Sequence, residues 1–285
     1  MSRPRGRGGR GARRAPALAV EGAPTDTGLS PSARQQLGRI ARRSLVRTLR
    51  EPALIIPGTL FPLFMLAVVS AGGDDVTNIK GFPTDSYITF MLAATLVQGA
   101  SGLATMAGTT LGTDIGTGFV NRLVLTPIRA TTLVLANLAG VAVLGLIQVA
   151  LFLGVGIAAG AGVETGIPGG AALIGVSFLI ALAFGAIGSL AAVIGGSASQ
   201  IQGIVALVLA LLFMSSMLMP RNLISTDWFK TIATYNPLSY LVEANRVLLI
   251  SGWDKEALAL GCGIAAAMLV VAVAASVVLL KRRMA

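Results

Sequence analysis

From residue 53 onward the chain alternates long stretches without a charged side chain and short polar connections, and that alternation constrains the fold more than any motif does. About 20 apolar residues are needed for a helix to cross the hydrocarbon core of a bilayer. Six stretches qualify, at about 53–71, 86–112, 130–159, 170–195, 201–219 and 257–280, and none of them contains Asp, Glu, Lys, Arg or His. Within lipid the backbone must satisfy its own hydrogen bonds, so stretches of this length must be helical. The expected fold class is an all-α integral membrane protein, with six transmembrane helices in one domain over residues 53–285. Composition agrees: 54% hydrophobic against 12% charged residues suits neither one large nor two ordinary soluble domains.

Basic residues set the orientation. Seventeen of the 22 Lys and Arg fall in segments that share one side with the N-terminus (1–52, 113–129, 196–200 and 281–285), against five in the other connections. The positive-inside rule then places both termini in the cytoplasm. All the Tyr and Trp residues (Tyr87, Trp228, Tyr235, Tyr240 and Trp253) map to the opposite side, where they are expected to anchor the chain at the outer interface. Residues 1–30 are rich in Arg, Gly, Pro and Ala and lack apolar periodicity, so a disordered basic cytoplasmic tail is expected, with no cleavable signal peptide. An Arg-Gly-Gly run also suits RNA, but a solvated tail is the simpler reading, and nucleic acid is not an expected partner. Residues 31–52 follow as an amphipathic helix, with Ser30 as N-cap and Pro31 in the first turn. Leu37, Ile40, Ala41, Leu45 and Leu49 form its apolar face, and Arg39, Arg42, Arg43, Arg47 and Arg50 form the basic face that suits a membrane lipid surface.

Several kinds of chemistry are excluded. The absence of histidine removes every His-dependent zinc, haem or triad site, and no metal site is expected. The single cysteine, Cys262, removes any intrachain disulfide. No ionisable group lies within the six stretches, which argues against an ion-coupled transporter and against an intramembrane enzyme. No lysine follows a glycine, so no phosphate-cradling GxxxxGK[ST] loop exists, and any ATP that drives this protein is bound by another chain. The most polar side chains inside the spans include Gln98, Asn137 and Gln148, the candidate cargo-pathway residues, in surroundings suited to an amphiphile. Pro57 and Pro62 predict a kink in the first span, and Gly175, Gly185, Gly188 and Ser189 predict close helix packing in the fourth.

Two polar segments carry more information. The inner connection 113–129 predicts a turn at Asp114 and Gly116, then a short helix from Thr117 to Leu125 ended by Thr126-Pro127, with Arg122 and Arg129 facing the cytoplasm. A short surface helix of this kind can sit in a groove of a soluble partner and move two spans together. The outer segment 220–256 holds Asn236-Pro237, a helix-start signal, followed by an apolar stripe around Glu243 and Arg246, which at i, i+3 can meet. It is too short and too polar to span, so a re-entrant hairpin between spans five and six is expected.

The order of basic tail, amphipathic helix, six spans, D-x-G-T…R-L…T-P-I-x-R inner loop and M-P…W…N-P-L-S-Y-x-V-E-A-x-R outer segment resembles the ABC-2 type permeases of ATP-binding-cassette exporters. It is most similar to the daunorubicin-resistance-type drug-efflux permeases. That resemblance implies a coupling helix that docks on the nucleotide-binding subunit, carried by Asp114, Gly116, Thr117, Arg122, Leu123, Thr126, Pro127 and Arg129. It implies that residues 30–50 form the connecting helix, and that Pro220, Trp228, Asn236, Pro237, Glu243 and Arg246 belong to an outer re-entrant gate. It further implies a second permease chain, identical or homologous, and two copies of a soluble ABC ATPase that hold the ATP and Mg.

The expected function is thus a permease subunit, not an enzyme, that exports a hydrophobic or amphiphilic drug, antibiotic or lipid across the cell membrane. One alternative is a permease for a polysaccharide or other lipid-linked polymer, disfavoured because Phe is the aromatic residue found within the spans. Another is a non-transporting membrane scaffold with a basic tail. Eighteen Arg against four Lys, with abundant Ala and Gly, suggests a GC-rich bacterial gene.

Overall fold

The structure, a computed structural model, describes residues 52–117, 130–195 and 197–284. The expected tail, the amphipathic helix up to Glu51 and the inner loop from 118 to 129 lie outside the described residues. Within them, helices and the turns that join them make up the whole fold, without a strand. The helices are α1 (Pro52–Ala71), α2 (Asp74–Thr77), α3 (Tyr87–Gly116), α4 (Ala130–Ala158), α5 (Gly166–Gly195), α6 (Ala198–Phe213), α7 (Asp227–Tyr235), α8 (Pro237–Arg246) and α9 (Lys255–Met284). A 3-10 turn at Arg221–Leu223 precedes α7, and a π turn at Val247–Ser251 follows α8.

Four helices, α3, α4, α5 and α9, are long and apolar enough to cross a membrane. Shorter apolar helices cover Ile56–Ala71 in α1 and Ala198–Phe213 in α6. The fifth expected span was to reach residue 219, but α6 stops at Phe213 and the chain folds back through buried Ser215, Ser216 and Met217. The carbonyls at a helix C-terminus need partners, and here side chains from the outer segment supply them, as described below.

α3 is the hub, packed against α1, α4, α5, α6 and α8. Small residues make this possible. A Cβ on Gly102 would sit 2.7 Å from the Gly58 Cα of α1, and a Cβ on Gly188 would run into the Ala104 carbonyl. Only glycine lets these backbones approach so closely, and close approach is what holds helices together where lipid removes the hydrophobic drive.

Polar side chains join the same helices. Asn137 Nδ2 on α4 donates to the Ala107 carbonyl of α3 at 3.1 Å and to Ser189 Oγ of α5 at 2.9 Å, pinning three helices at one point. Gln148 Nε2 on α4 donates to the Gly58 carbonyl of α1 at 3.1 Å. In a regular helix that carbonyl accepts from residue 62, which here is proline and has no N–H. Gln148 therefore satisfies the acceptor that Pro62 leaves open.

Candidate functional site

The segment that follows α6 folds into a plug whose centre, α8, packs against α3, α5, α6 and α9. Asn236 caps α8, its Oδ1 accepting from Leu238 N–H at 2.9 Å, and Pro237 occupies the first helical position, where its missing N–H costs nothing. The other half of the Asn236 amide donates to the Leu211 carbonyl at 2.6 Å, so one residue starts α8 and closes the last turn of α6.

Arg246, at the other end of α8, is 7% exposed. Its Nη2 donates to the carbonyls of Ser216 at 3.0 Å and Met217 at 3.3 Å, just past the C-terminus of α6. Its guanidinium lies 3.8 Å over the Phe90 ring of α3. A cation beside a helix C-terminus and over an aromatic face is favourable on both counts. Burial pulls its pKa below the usual arginine range, to about 10, and the nearby Glu243 carboxylate is the chief influence opposing that shift.

The expected meeting of Glu243 with Arg246 gives way to a different pairing. Glu243 Oε1 lies 3.0 Å from Arg221 Nε and accepts from Ser216 Oγ at 3.2 Å. The reason is geometric: a buried guanidinium needs several acceptors, and the end of α6 offers carbonyls that one carboxylate cannot replace. The Arg221 contact is an ion pair by proximity, since Arg221 Nε and Nη2 make no hydrogen bond within the described residues. Arg221 is also stacked 4.4 Å from the Tyr240 ring centre.

Further bonds hold the plug on every side. Ser216 N–H donates to Ser239 Oγ at 3.1 Å, and Ser177 of α5 donates to Asn245 Oδ1 at 3.2 Å. Thr165 Oγ1 donates to the Leu248 carbonyl and Glu164 N–H to the Leu249 carbonyl, which ties the π turn to the start of α5. Tyr87 corrects the expectation of five interfacial anchors: it is 6% exposed and donates to the Leu218 carbonyl at 3.2 Å, stacked near Phe90. Tyr240 likewise lies under Arg221, whereas Trp228, Tyr235 and Trp253 are exposed. Pro220 is buried, and its carbonyl accepts from Leu223 N–H.

At the other end of α3, the expected turn at Asp114 and Gly116 is absent because the helix continues through both, with Thr117 as its C-cap. A hydroxyl ladder runs along this end. Thr105, Thr109, Thr113 and Thr117 each donate to the carbonyl four residues earlier, the last two at 2.7 and 2.8 Å. Such back-bonding keeps hydroxyls satisfied without leaving the helix. Thr109, Thr113 and Thr117 line a cavity of about 240 Å³ with Gly112, Gly116 and the first turn of α6. The i, i+4 threonine spacing that builds this ladder is legible in the sequence. Arg122, Leu123, Thr126, Pro127 and Arg129 lie outside the described residues.

Of the candidate pathway residues, Asn137 and Gln148 serve helix joints, and Gln98 is buried with its Nε2 unpartnered within the described residues. Among those residues no three Asp, Glu or Cys side chains converge, so they offer no metal-ligand set.

No curated protein sequence matches the chain. A family model does, that of the ABC-2 type transporter, over residues 35–250, which is more than half of the chain and takes in both the α3 hub and the plug around α8. This all-helical, multi-pass membrane chain belongs to the ABC-2 type transporter family, as the permease component of an ABC transporter.

Proposed function

We propose that this permease exports a hydrophobic or amphiphilic cargo out of the cell, driven by ATP hydrolysis on two copies of a soluble ABC ATPase that hold the ATP and Mg. In this reading α1 and α6 complete a set of six spans, both termini are cytoplasmic, and a second permease chain completes the pathway. The segment around α7 and α8 is the re-entrant outer gate.

The observation that carries the reading is the placement of α3. At 30 residues it is about 45 Å long, well beyond the roughly 30 Å hydrocarbon core. In this reading its Thr113–Thr117 end projects from the membrane on the side of the basic segment 118–129, which follows it in the sequence. Its opposite end supplies Phe90 and Tyr87 to the plug. Displacement of the inner loop by a partner would thus reach the outer gate through one buried rod. ATP binding would favour one permease conformation by differential contact at this loop. The polar side chains at the helix joints are engaged by neighbouring helices, which leaves apolar and hydroxyl surfaces to meet the cargo and favours an amphiphile over an ion.

The test is Arg122→Glu with Leu123→Asp in proteoliposomes containing the partner ATPase. The expected result is loss of cargo-stimulated ATP hydrolysis with the variant still inserted. Unchanged stimulation would overturn the coupling assignment.

A further inference from the structure

The groove between α4 and α9 belongs to neither the plug nor the inner end of α3. It has a volume of about 820 Å³, with Leu138 and Ala142 on one wall, Val273 and Val277 on the other and Leu182 of α5 as floor. We propose that it is a binding site for one anionic phospholipid of the leaflet at the C-terminal end of α9.

Three observations select that occupant. The first is length. The groove runs along α4 from Thr131 to Ala142, about 16 Å of helix, which is half of a hydrocarbon core and so the depth of one leaflet. The second is the wall chemistry, which is aliphatic except for Thr131 at one end. The third is charge at that same end. On α9 the lining positions Val270, Val273, Ala274 and Val277 recur at intervals of three and one or four, and Lys281 continues the same face one turn later.

Lys281 and Arg282 are exposed, and no hydrogen bond or ion pair ties Lys281 to the described residues. Arg283 is differently placed, since its Nη2 donates to the Ile194 carbonyl at the end of α5. An acyl chain along the groove brings a headgroup phosphate to Lys281. Charge also argues against the other occupants. The chain's own segment 31–50 is rich in arginine, and a second copy in a two-fold contact would bring its own Lys281 and Arg282 to a face already cationic.

The test uses the full chain in mild detergent, mixed with equal amounts of phosphatidylglycerol and phosphatidylcholine and read by native mass spectrometry. The expected result is one retained phosphatidylglycerol per chain, preferred over phosphatidylcholine. Lys281→Gln should lower that preference about fivefold, and Lys281→Gln with Arg282→Gln about 25-fold. Ala142→Trp with Ala274→Trp should remove bound lipid of both kinds, with the thermal transition checked to show that these chains remain folded. Equal retention of the two lipids by the native chain, or an unchanged preference in the Lys281 variants, would overturn the proposal. So would a disulfide between copies through Ala274→Cys in a Cys262→Ala background, which would give the groove to a second chain. The readout involves neither cargo nor ATPase, so its failure leaves the exporter reading standing.

Discussion

α3 and α9 are both 30-residue helices, and they are sorted by the fold in the opposite order to their hydrophobicity. Compared over their most apolar stretches, α3 is the least apolar of the four long helices, with 83% of that stretch buried, and α9 is the most apolar, with only 28% of it buried. Water would sort them the other way. In lipid, apolar surface gains nothing by leaving one hydrocarbon for another, so the interior goes to helices that offer small residues and polar joints. α3 offers Gly102, Gly108 and a run of hydroxyls, while α9 turns Val270 and Val271 outward at 64% and 65% exposure.

If that ordering is right, filling a close contact against α3 should do the most damage. Gly188→Leu on α5 drives a side chain into the Ala104 carbonyl of α3, a contact with backbone that cannot move aside. Loss of about 3 kcal/mol or more is expected, read as a shift in the unfolding midpoint in mixed micelles. Gly263→Leu on α9, where an added Cβ meets nothing within 4 Å, should leave the midpoint in place. Equal effects from the two substitutions would break the contrast.

Arg246 comes next. Arg246→Leu keeps much of the volume over Phe90 but strips the carbonyls of Ser216 and Met217 of their donor. A cost of about 2–3 kcal/mol follows from losing a charged donor to buried acceptors. Protease cleavage at the end of α6 should also speed up, because the fold-back from 214 to 219 depends on those bonds. Smaller again is Asn137→Leu, which removes the pin joining α3, α4 and α5; interhelical bonds of this kind contribute about 0.6–1.7 kcal/mol. A double-mutant cycle with Ser189→Ala isolates that joint, and additivity would show that Asn137 acts through Ala107 alone.

The contrast also explains what the sequence could say. The four long apolar helices were legible because about 20 uncharged residues in succession leave one option in lipid, and the α8 start was legible because Asn236-Pro237 is a local signal. The end of α6 was not. Apolar composition continues to Met219, and what stops α6 at Phe213 is a set of donors supplied by Asn236 and Arg246, more than twenty residues away. The continuation of α3 through Asp114 and Gly116 is hidden for the opposite reason: two turn-forming residues signal a break, while the threonine ladder beside them keeps its bonds inside the helix. Pro62 itself is a local signal, whereas the donor that serves the carbonyl it leaves open, Gln148, lies 86 residues on and is brought there only by the packing of α1 against α4.

The smallest effect belongs to the outward face of α9, and it tests whether exposure there means lipid. Val271→Ala removes two methyl groups from a side chain that is 65% exposed. Facing hydrocarbon, it should change stability by less than about 0.5 kcal/mol. Measured in detergent on the single chain and again in a bilayer with the partner ATPase present, the value should stay the same. A loss of about 1 kcal/mol in the assembled state alone would mean that a protein surface, not lipid, covers this side of α9. The low burial of α9 would then belong to the isolated chain, and only α3 would keep its place in the ordering.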